Sequence, residues 1–449
     1  MPVSEEGVRE ITIYAGHHWF EPDVEDLRRK LRLVAGDRQL SAALAQRAIV
    51  DIRANFDLAA GARNLEAAIG AVEARFQPTN LPECASGQVR VVLEGELLAG
   101  HSFANVNASL LHSLGNDSTI FLGFDRKFHT PADDCEHDAH ELLAFVGRGG
   151  DAPPDVTVRH AYPPNWSRPA AGKWVHIQPW EFGHLPRAWL QPLMDVDEVW
   201  APSDYVRQVY VRSGIPDWKV QVIPWGIAPD VFYPEVPALH LPTSKSFRFL
   251  FVGGTIRRKG FDRVLNAYLS EFTEDDDVCL VIKAMGADSF YRFENMRSDI
   301  MQASRQRSAP SILYLDQKMT AGQMASLYAA THVLVAPYRG EGFCLPVLEA
   351  MAVGVCPIVP RGGPTDDFVP DGCGYLLESW ECATPDDSLC GPRLELELDA
   401  QELAAQMRWC YQHPDICRLK GRRASHLAAR YTWDRTASVM RERIHALMR

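Results

Sequence analysis

The chain has 449 residues, of which 46% are hydrophobic and 23% charged, and its formal net charge is −12. This size and composition predict a globular protein of two or three domains, and the negative charge disfavours nucleic acid or an anionic membrane as the main partner. The sequence contains no apolar run of about 18 residues, as a spanning helix needs, and the polar stretch Met1–Arg9 is not typical of a secretory signal.

The ten cysteines show no CxxC pairing, and several of them stand in apolar runs, as Cys279 and Cys356 do. Cysteines of this kind are expected to be reduced thiols in the core or in loops. The sequence therefore predicts a cytoplasmic location.

Residues 1–80 are predicted to be a helical N-terminal segment because apolar residues recur at helical spacing. The stretch 25–69 aligns with the chain's own end, 401–444, with about one gap, so that Leu27 falls on Leu403. Two interpretations stay open: convergent amphipathic helices, or a remnant of the tail of an upstream domain of the kind that ends the chain.

Residues 88–236 are predicted to form an α/β domain with a mostly parallel sheet, because short apolar strands alternate with loops and helices. Ser203 is placed to cap a helix that continues to Ser213. The predicted strands of this domain are Val89–Leu93, Thr119–Leu122, Val156–His160, Trp174–Gln178, Glu198–Ala201 and Lys219–Ile223.

A Pro-rich linker, Pro234–Ser246, leads into a second α/β domain, residues 246–430. The final residues, 431–449, are predicted to form a helix that crosses back to the first domain. The predicted strands of the second domain are Phe247–Val252, Val278–Lys283, Ile312–Leu315, Val333–Ala336 and Val355–Val359.

The stretch Val333–Asp367 contains the strongest functional signal. It is predicted to be a buried strand, a polar Gly-rich loop, a helix, another strand and another Gly-rich loop. Glu341 lies in the first loop and Glu349 in the helix. Two carboxylates beside the backbone amides of a helix N-terminus suit a ligand with hydroxyls at both ends and a phosphate in the middle, such as a sugar nucleotide.

Four features occur in an order typical of one family: VIPWGIAPDVFYP before the linker, GGTIRRKG after it, Glu341 with Glu349, and the RGGPTDD loop. From about residue 88 to 449 the chain resembles a retaining glycosyltransferase of the GT-B fold, glycosyltransferase family four (glycosyl transferases group 1). The resemblance implies two Rossmann-like domains that face each other across a cleft, with the ligand at the carboxyl ends of the strands. It also implies a UDP- or GDP-linked sugar as co-substrate, with neither a cofactor nor a metal.

By this resemblance three residues are catalytic. Glu341 contacts hydroxyls of the donor sugar, since a carboxylate accepts hydrogen bonds from two adjacent hydroxyls. Lys259 holds the diphosphate, where negative charge grows as the sugar leaves. His160 ends a strand of the first domain and contacts the donor sugar near its reactive carbon, although a histidine at a strand end is often only structural.

The resemblance further implies donor contacts in the loop and helix that follow Glu341. Glu349 binds the ribose hydroxyls of the nucleotide. Cys344 stands where the family more often has glycine. The small cysteine side chain keeps the backbone accessible, and thiol reactivity is not implied. The residues expected to lie along the sugar or diphosphate are Gly342, Phe343, Cys344 and Leu345.

A second cation is expected beside Lys259. The family usually has an arginine five residues before this lysine, but here the position is Gly254. Either Arg257 or Arg258 is left to supply the charge, and the sequence does not choose between them.

The acceptor side is expected in the first domain, at Gly100 and Ser102 of the first strand–helix loop and at Glu181 of PWEFGHLP. The family's adjacent glycines are absent from that first loop, and Trp225 replaces an asparagine common in VIPWGI. The expected acceptor is a hydroxyl of a saccharide, a lipid-linked saccharide or a small molecule. Peripheral membrane association and association with a further glycosyltransferase domain stay open.

Two acidic patterns offer metal-site alternatives. Asp195 and Asp197 fit the DxD of metal-dependent transferases, but they lead directly into a strand and are interpreted as a helix–strand turn. The acidic run 133–140 is interpreted as a solvated loop because no second cluster completes a metal site. The alternative function is a degenerate GT-B protein that binds a nucleotide sugar without transferring it.

Overall fold

A computed structural model describes residues 24–55, 84–97, 102–125, 142, 144–146, 148, 152–286, 291 and 294–449. The chain divides into two compact units, Met1–Leu81 and Pro82–Arg449. The predicted acceptor residue Gly100, the acidic run 133–140 and the remainder of residues 1–80 lie outside the described part.

The first α/β domain has a six-stranded parallel sheet in the order β2-β1-β3-β4-β5-β6. Its strands are β1 (Val89–Gly95), β2 (Ile120–Phe124), β3 (Val156–His160), β4 (Lys173–Ile177), β5 (Glu198–Ala201) and β6 (Val220–Val222). Its helices are α3 (Ser102–Leu114), α4 (Arg187–Asp195) and α5 (Asp204–Arg212). Ser203 caps α5 as predicted, because its Oγ accepts from the Val206 amide.

The second α/β domain also has a six-stranded parallel sheet, in the order β12-β11-β10-β7-β8-β9. Its strands are β7 (Phe247–Gly253), β8 (Val278–Ala284), β9 (Ser311–Leu315), β10 (Val333–Val335), β11 (Cys356–Pro360) and β12 (Tyr375–Leu377). The helices between them are α6 (Phe261–Glu271), α7 (Arg297–Ala303), α8 (Ala321–Ala329) and α9 (Leu345–Val353). The strands are almost wholly apolar because helices cover both faces of a parallel sheet.

An antiparallel hairpin of β13 (Ser379–Thr384) and β14 (Arg393–Leu398) follows this sheet. The sequence analysis did not predict it, although the alternation of RLELEL in β14 is typical of a strand. The chain ends in α10 (Ala400–Gln412), α11 (Pro414–Ala428) and α12 (Trp433–Leu447). Helix α12 lies on the first domain, where the Thr436 hydroxyl donates to the carbonyl of Pro224 at 2.7 Å.

The carboxyl ends of the two sheets face each other. After β5, Ser203 donates through Oγ to the carbonyl of Gly342 at 2.7 Å. Beyond β4, Pro179 lies so close to Gly342 that a Cβ there would be 2.8 Å from the proline Cβ. These contacts place the loop before α9 against the first domain, so the two strand edges form the walls of a cleft.

The N-terminal unit is described over α1 (Val24–Gly36) and α2 (Arg38–Asn55), which confirms helix in this part. In the alignment of the two chain ends, the bounds of α1 fall on those of α10, and α2 begins at the position where α11 begins. The remnant hypothesis stays a prediction. Within the described residues, every helix is too short or too polar to cross a bilayer.

Candidate active site

Two loops at the carboxyl edge of the second sheet meet because of Gly260. This residue has φ +72°, and a Cβ on it would lie 2.0 Å from the carbonyl oxygen of Pro337. Only glycine accommodates both the left-handed backbone and this close approach. The β7–α6 loop therefore lies directly against the β10–α9 loop, and Lys259 of the first loop contacts Glu341 of the second.

Lys259 and Glu341 meet at this junction as an ion pair. The side chain of Lys259 is 20% exposed and that of Glu341 8% exposed. Burial is the largest single influence and lowers the pKa of Lys259, but Glu341, with smaller contributions from Cys344 and Tyr291, raises the pKa above its ordinary value. The lysine is thus held as a cation at the base of the cleft, as the predicted phosphate contact requires.

The second cation at this junction is Arg258. Its Nη1 lies 3.0 Å from the carbonyl of Gly340, 3.3 Å from Glu181 Oε1 and 3.9 Å from Glu341 Oε2. Burial lowers the pKa of Arg258, but Glu181 and Glu341 together raise it above its ordinary value. Arg258, which the sequence could not separate from Arg257, stands beside Lys259.

Arg257 points away from this pair. Its guanidinium bonds Glu395 on β14 and is 61% exposed. Gly254 is covered by Tyr291, whose ring would lie 2.6 Å from an added Cβ, and the Tyr291 hydroxyl accepts from Arg258 at 3.2 Å. In the conformation described, the family's usual arginine would not fit at Gly254.

The hairpin supports the loop before α9 through charges that the sequence analysis missed. Arg339 forms a bidentate pair with Asp262 at 2.6 and 2.8 Å and donates to Glu397 on β14 at 2.9 Å. Arg263 also pairs with Glu397. The alternation of charged and apolar residues in β14 could have revealed these contacts, because it places Glu395 and Glu397 on one face of the strand.

Cys344 directly precedes helix α9 as its N-cap residue and has φ +73° and ψ +58°. This left-handed backbone is rare for residues other than glycine, which accounts physically for glycine as an alternative residue here. The first amides of a helix have no partner within the helix, so those of Cys344 and Leu345 are suited to an anion. Phe343 is buried and contacts Trp225 of the first domain, with ring centroids 5.7 Å apart.

Glu349 lies farther along α9, half-buried. Its Oε2 accepts a hydrogen bond from the hydroxyl of Tyr328 on α8 at 2.7 Å. Burial first and the Glu349 carboxylate second raise the pKa of Tyr328 well above its ordinary value, so the hydroxyl stays a donor. This contact orients the carboxylate that the sequence analysis assigned to the ribose.

His160 is fully buried at the end of β3. Asn107 donates through Nδ2 to the carbonyls of Glu96 and His160, so its Oδ1, 2.8 Å from His160 Nδ1, is the acceptor. The His160 Nδ1 therefore carries a proton. Phe103 stacks on the ring with centroids 4.6 Å apart.

The remaining acceptor-side predictions lie at the same edge. Ser102 is the exposed first residue of α3, next to Phe103. Glu181 lies in the loop after β4 and reaches Arg258 across the cleft. The structure thus gives Glu181 a donor-side partner as well.

The DxD pattern lies at the opposite edge of the first sheet. Helix α4 ends at Asp195 and β5 begins at Glu198. Asp197 accepts from the Trp174 amide at 2.9 Å, which ties the turn to β4. The interpretation as a helix–strand turn is confirmed.

A buried row of polar side chains crosses the first sheet from β1 to β4. Glu94, Arg159 and His176 are neighbours in the parallel register, and Arg159 pairs with Glu94. Trp166 stacks on the His176 ring with centroids 4.5 Å apart. Burial, followed by the charge of Arg159, lowers the pKa of His176 to about 3.

This depressed pKa predicts a loss of stability in acid. An unfolded histidine takes up a proton near pH 6.5, whereas folded His176 stays neutral down to about pH 3. Its contribution is fully present above pH 6.5 and falls by up to about 1.4 kcal/mol per pH unit below it. Urea unfolding between about pH 7.5 and pH 4.5 measures the free energy of unfolding at each pH. In acid this free energy should fall less steeply for His176→Phe than for wild type, and above neutrality the two pH curves should run parallel. Parallel curves over the whole range would contradict the assignment.

Two solved structures share the arrangement of two parallel sheets that face each other. Sucrose-phosphate synthase from Thermosynechococcus elongatus is similar with a TM-score of 0.58 at 18% identity, covering 80% of this chain and 99% of that one. Anabaena HepE, solved with UDP and glucose, is similar with a TM-score of 0.54 at 13% identity, covering 80% and 100%. The chain has the GT-B fold, as predicted.

Residues 246–412 match the family model described as Glycosyl transferases group 1. The match covers the second α/β domain, which carries Lys259, Glu341 and Glu349. A GDP-mannose-dependent alpha-mannosyltransferase of Mycolicibacterium smegmatis is 29% identical over 44% of this chain and 49% of its own length. A D-inositol 3-phosphate glycosyltransferase of Nocardiopsis dassonvillei is 27% identical over 46% and 51%. The alignments thus span about half the length of these curated relatives.

Proposed function

We propose that the protein is a retaining glycosyltransferase that moves a sugar from a nucleoside diphosphate sugar to a hydroxyl acceptor without a metal. The observation that carries this proposal is the junction of Arg258, Lys259 and Glu341 beside the N-terminus of α9. Two fixed cations and free helix amides suit a diphosphate, and the carboxylates of Glu341 and Glu349 suit hydroxyls on either side of it.

In the proposed reaction the bond between the anomeric carbon and the diphosphate oxygen breaks, and its electron pair stays on that oxygen. A new bond forms from the acceptor hydroxyl oxygen to the same face of the carbon, and the hydroxyl proton passes to a phosphate oxygen. Lys259 and Arg258 stabilise the growing negative charge, and because they are held in place beforehand they need no reorganisation. His160, at the end of β3, is proposed to contact the donor sugar from the first domain.

The names of the relatives support a nucleotide-sugar donor. One relative is named as dependent on GDP-mannose, and one structure of similar fold was solved with UDP and glucose. For the acceptor we propose the broad class of saccharide, lipid-linked saccharide or small-molecule hydroxyls.

A second candidate is a GT-B protein that binds a nucleotide sugar without transferring it. The burial of His160 beneath Phe103 and beside Trp225 favours this reading, because the reacting face must open before a sugar can reach the ring. Release of nucleoside diphosphate from a donor panel in slow hydrolysis would separate the two candidates, since a pure binding protein releases none.

The test of the proposed function is a thermal-shift screen of UDP-, GDP-, ADP- and dTDP-linked sugars, followed by a hydrolysis assay with and without a chelator. A ligand at a hundred times its dissociation constant stabilises by roughly 2.7 kcal/mol, which gives a clear rise in Tm. Stabilisation by one donor class with chelator-resistant release of nucleoside diphosphate is expected. No shift with any donor would contradict the proposal.

Glu349→Ala is expected to weaken binding of the preferred donor by about 10- to 100-fold, because paired ribose hydroxyls lose a charged acceptor worth roughly 1.5–3 kcal/mol. Isothermal titration measures the change. Tyr328→Phe removes the orienting hydrogen bond but keeps the carboxylate, so a smaller loss is expected. Glu402→Ala, an exposed glutamate on α10, is the matched control and should leave affinity unchanged. Equal affinity for Glu349→Ala and wild type would remove Glu349 from the site.

A further inference from the structure

The junction at the base of the cleft contains two cations and two carboxylates. Lys259 pairs with Glu341, and Arg258 lies 3.3 Å from Glu181 and 3.9 Å from Glu341. Glu341 belongs to the second domain, like both cations, whereas Glu181 reaches them from the first. The charges of these four groups cancel, so a diphosphate entering here would add an excess of negative charge.

The Nη1 atom of Arg258 donates a hydrogen bond to the carbonyl of Gly340 at 3.0 Å. Glu181 Oε1 lies 3.3 Å from the same nitrogen as its ion-pair partner. The Nη2 atom of Arg258 donates to the hydroxyl of Tyr291 at 3.2 Å. A phosphate oxygen that approaches Nη1 would lie beside the Glu181 carboxylate and repel it, whereas the backbone carbonyl is fixed in the loop.

Of the two carboxylates, Glu181 is the one that can leave. Its side chain is 30% exposed, whereas that of Glu341 is 8% exposed and remains bonded to Lys259. Glu181 can turn toward solvent at little cost. Glu341 is already buried, and leaving its cation would cost free energy because its carboxylate would stay buried without a partner.

The hairpin keeps the Glu181 loop close to Arg258. The amide of Cys390 donates to the carbonyl of Leu185 at 2.9 Å, and the amide of Arg187 donates to the carbonyl of Ser388 at 2.8 Å. These bonds join the loop after β4 to the tip between β13 and β14. A carboxylate fixed in this way competes as an internal anion at high effective concentration.

On the basis of the proposed function, we propose that Glu181 competes with the donor's diphosphate for Arg258. Donor binding then breaks the ion pair that joins the two domains at the cleft. Glu181 is a positioning residue that sets how strongly the site holds a diphosphate. When the donor binds, the loop after β4 loses its ion pair with Arg258.

The test is isothermal titration of UDP and GDP into wild type, Glu181→Gln and Glu181→Ala. Removing the competing charge is expected to tighten binding of the preferred nucleoside diphosphate by about three- to tenfold in both variants, in line with a partly exposed ion pair. Glu381→Gln is the matched control. It removes another ion pair between the same domains, to Arg212 at 2.9 Å, without touching Arg258, and it should leave affinity unchanged.

Three outcomes overturn the inference. Equal or weaker binding by both Glu181 variants shows that the carboxylate does not compete. An equal gain in Glu381→Gln shows that any loosening of the domains improves binding. If no protein binds UDP or GDP and the donor screen also gives no thermal shift, the proposed function is contradicted as well, whereas binding by wild type with no gain in the variants contradicts only the role of Glu181.

Discussion

Replacing Lys259 by alanine is expected to lower kcat by about two to three orders of magnitude, the usual effect of removing one preorganised charge from a developing oxyanion. The lysine is largely shielded from solvent, with 20% of its side chain exposed, and is paired with Glu341, so water is a poor replacement for its charge. Ground-state affinity for the donor should fall less, because Arg258 and the helix amides remain. Steady-state kinetics on the preferred donor separates kcat from KM.

The same substitution leaves Glu341 buried without its cation, which costs stability. Lys259→Ala combined with Glu341→Gln should therefore recover part of that stability without recovering turnover. Lys173→Ala serves as the control. It removes a half-exposed lysine at the start of β4, at the edge of the first sheet that lies away from the second domain's junction. Near-normal turnover by Lys259→Ala would exclude this junction as the place where the leaving group is stabilised.

The regular part of the fold was predictable because the two parallel sheets impose apolar strands at regular spacing. The predicted ends of β3 and β5 match the structure, and the other predicted strands differ by one or two residues at their ends. β12 is only three residues long, too short to show periodicity. The hairpin was missed although β14 alternates clearly, because its partner β13 is almost entirely exposed and has no buried apolar face that a sequence pattern could show.

The pairing of Lys259 with Glu341 was predictable in kind, because both follow strands of one parallel sheet and such strand ends share an edge. The orientation of each side chain was not. Arg257 and Arg258 are neighbours in sequence, yet one pairs with β14 and the other lies over the cleft. That choice depends on Glu395, Glu181 and Tyr291, which are distant in sequence, and no local pattern encodes their approach.

The partners of His160 were hidden for the same reason. A strand-end histidine is visible in the sequence, but its tautomer depends on Asn107, which lies 53 residues earlier and bonds two carbonyls. The role of Glu181 likewise needed the facing domain. Sequence motifs thus predicted the residues that meet at the junction in the second domain, whereas contacts between the two domains became visible only in the folded chain.

The other large effect is expected from Gly260→Ala. An alanine must adopt the left-handed backbone at φ +72°, which costs about 1–2 kcal/mol, and its Cβ would meet the Pro337 carbonyl oxygen at 2.0 Å. Because that oxygen is backbone, the β7–α6 loop must move away from β10. We expect a loss of about 3 kcal/mol or more in the free energy of unfolding.

Gly214→Ala provides the matched control, since Gly214 has φ +98° and nothing within 4 Å of an added Cβ. It should lose only the backbone cost of about 1 kcal/mol, so the difference between the two variants in urea unfolding isolates the close approach. Gly260→Ala should also lower kcat/KM, because Lys259 is the preceding residue and moves with the loop. Equal losses of stability in the two variants, with activity unchanged, would show that the contact between the loops does not position the lysine.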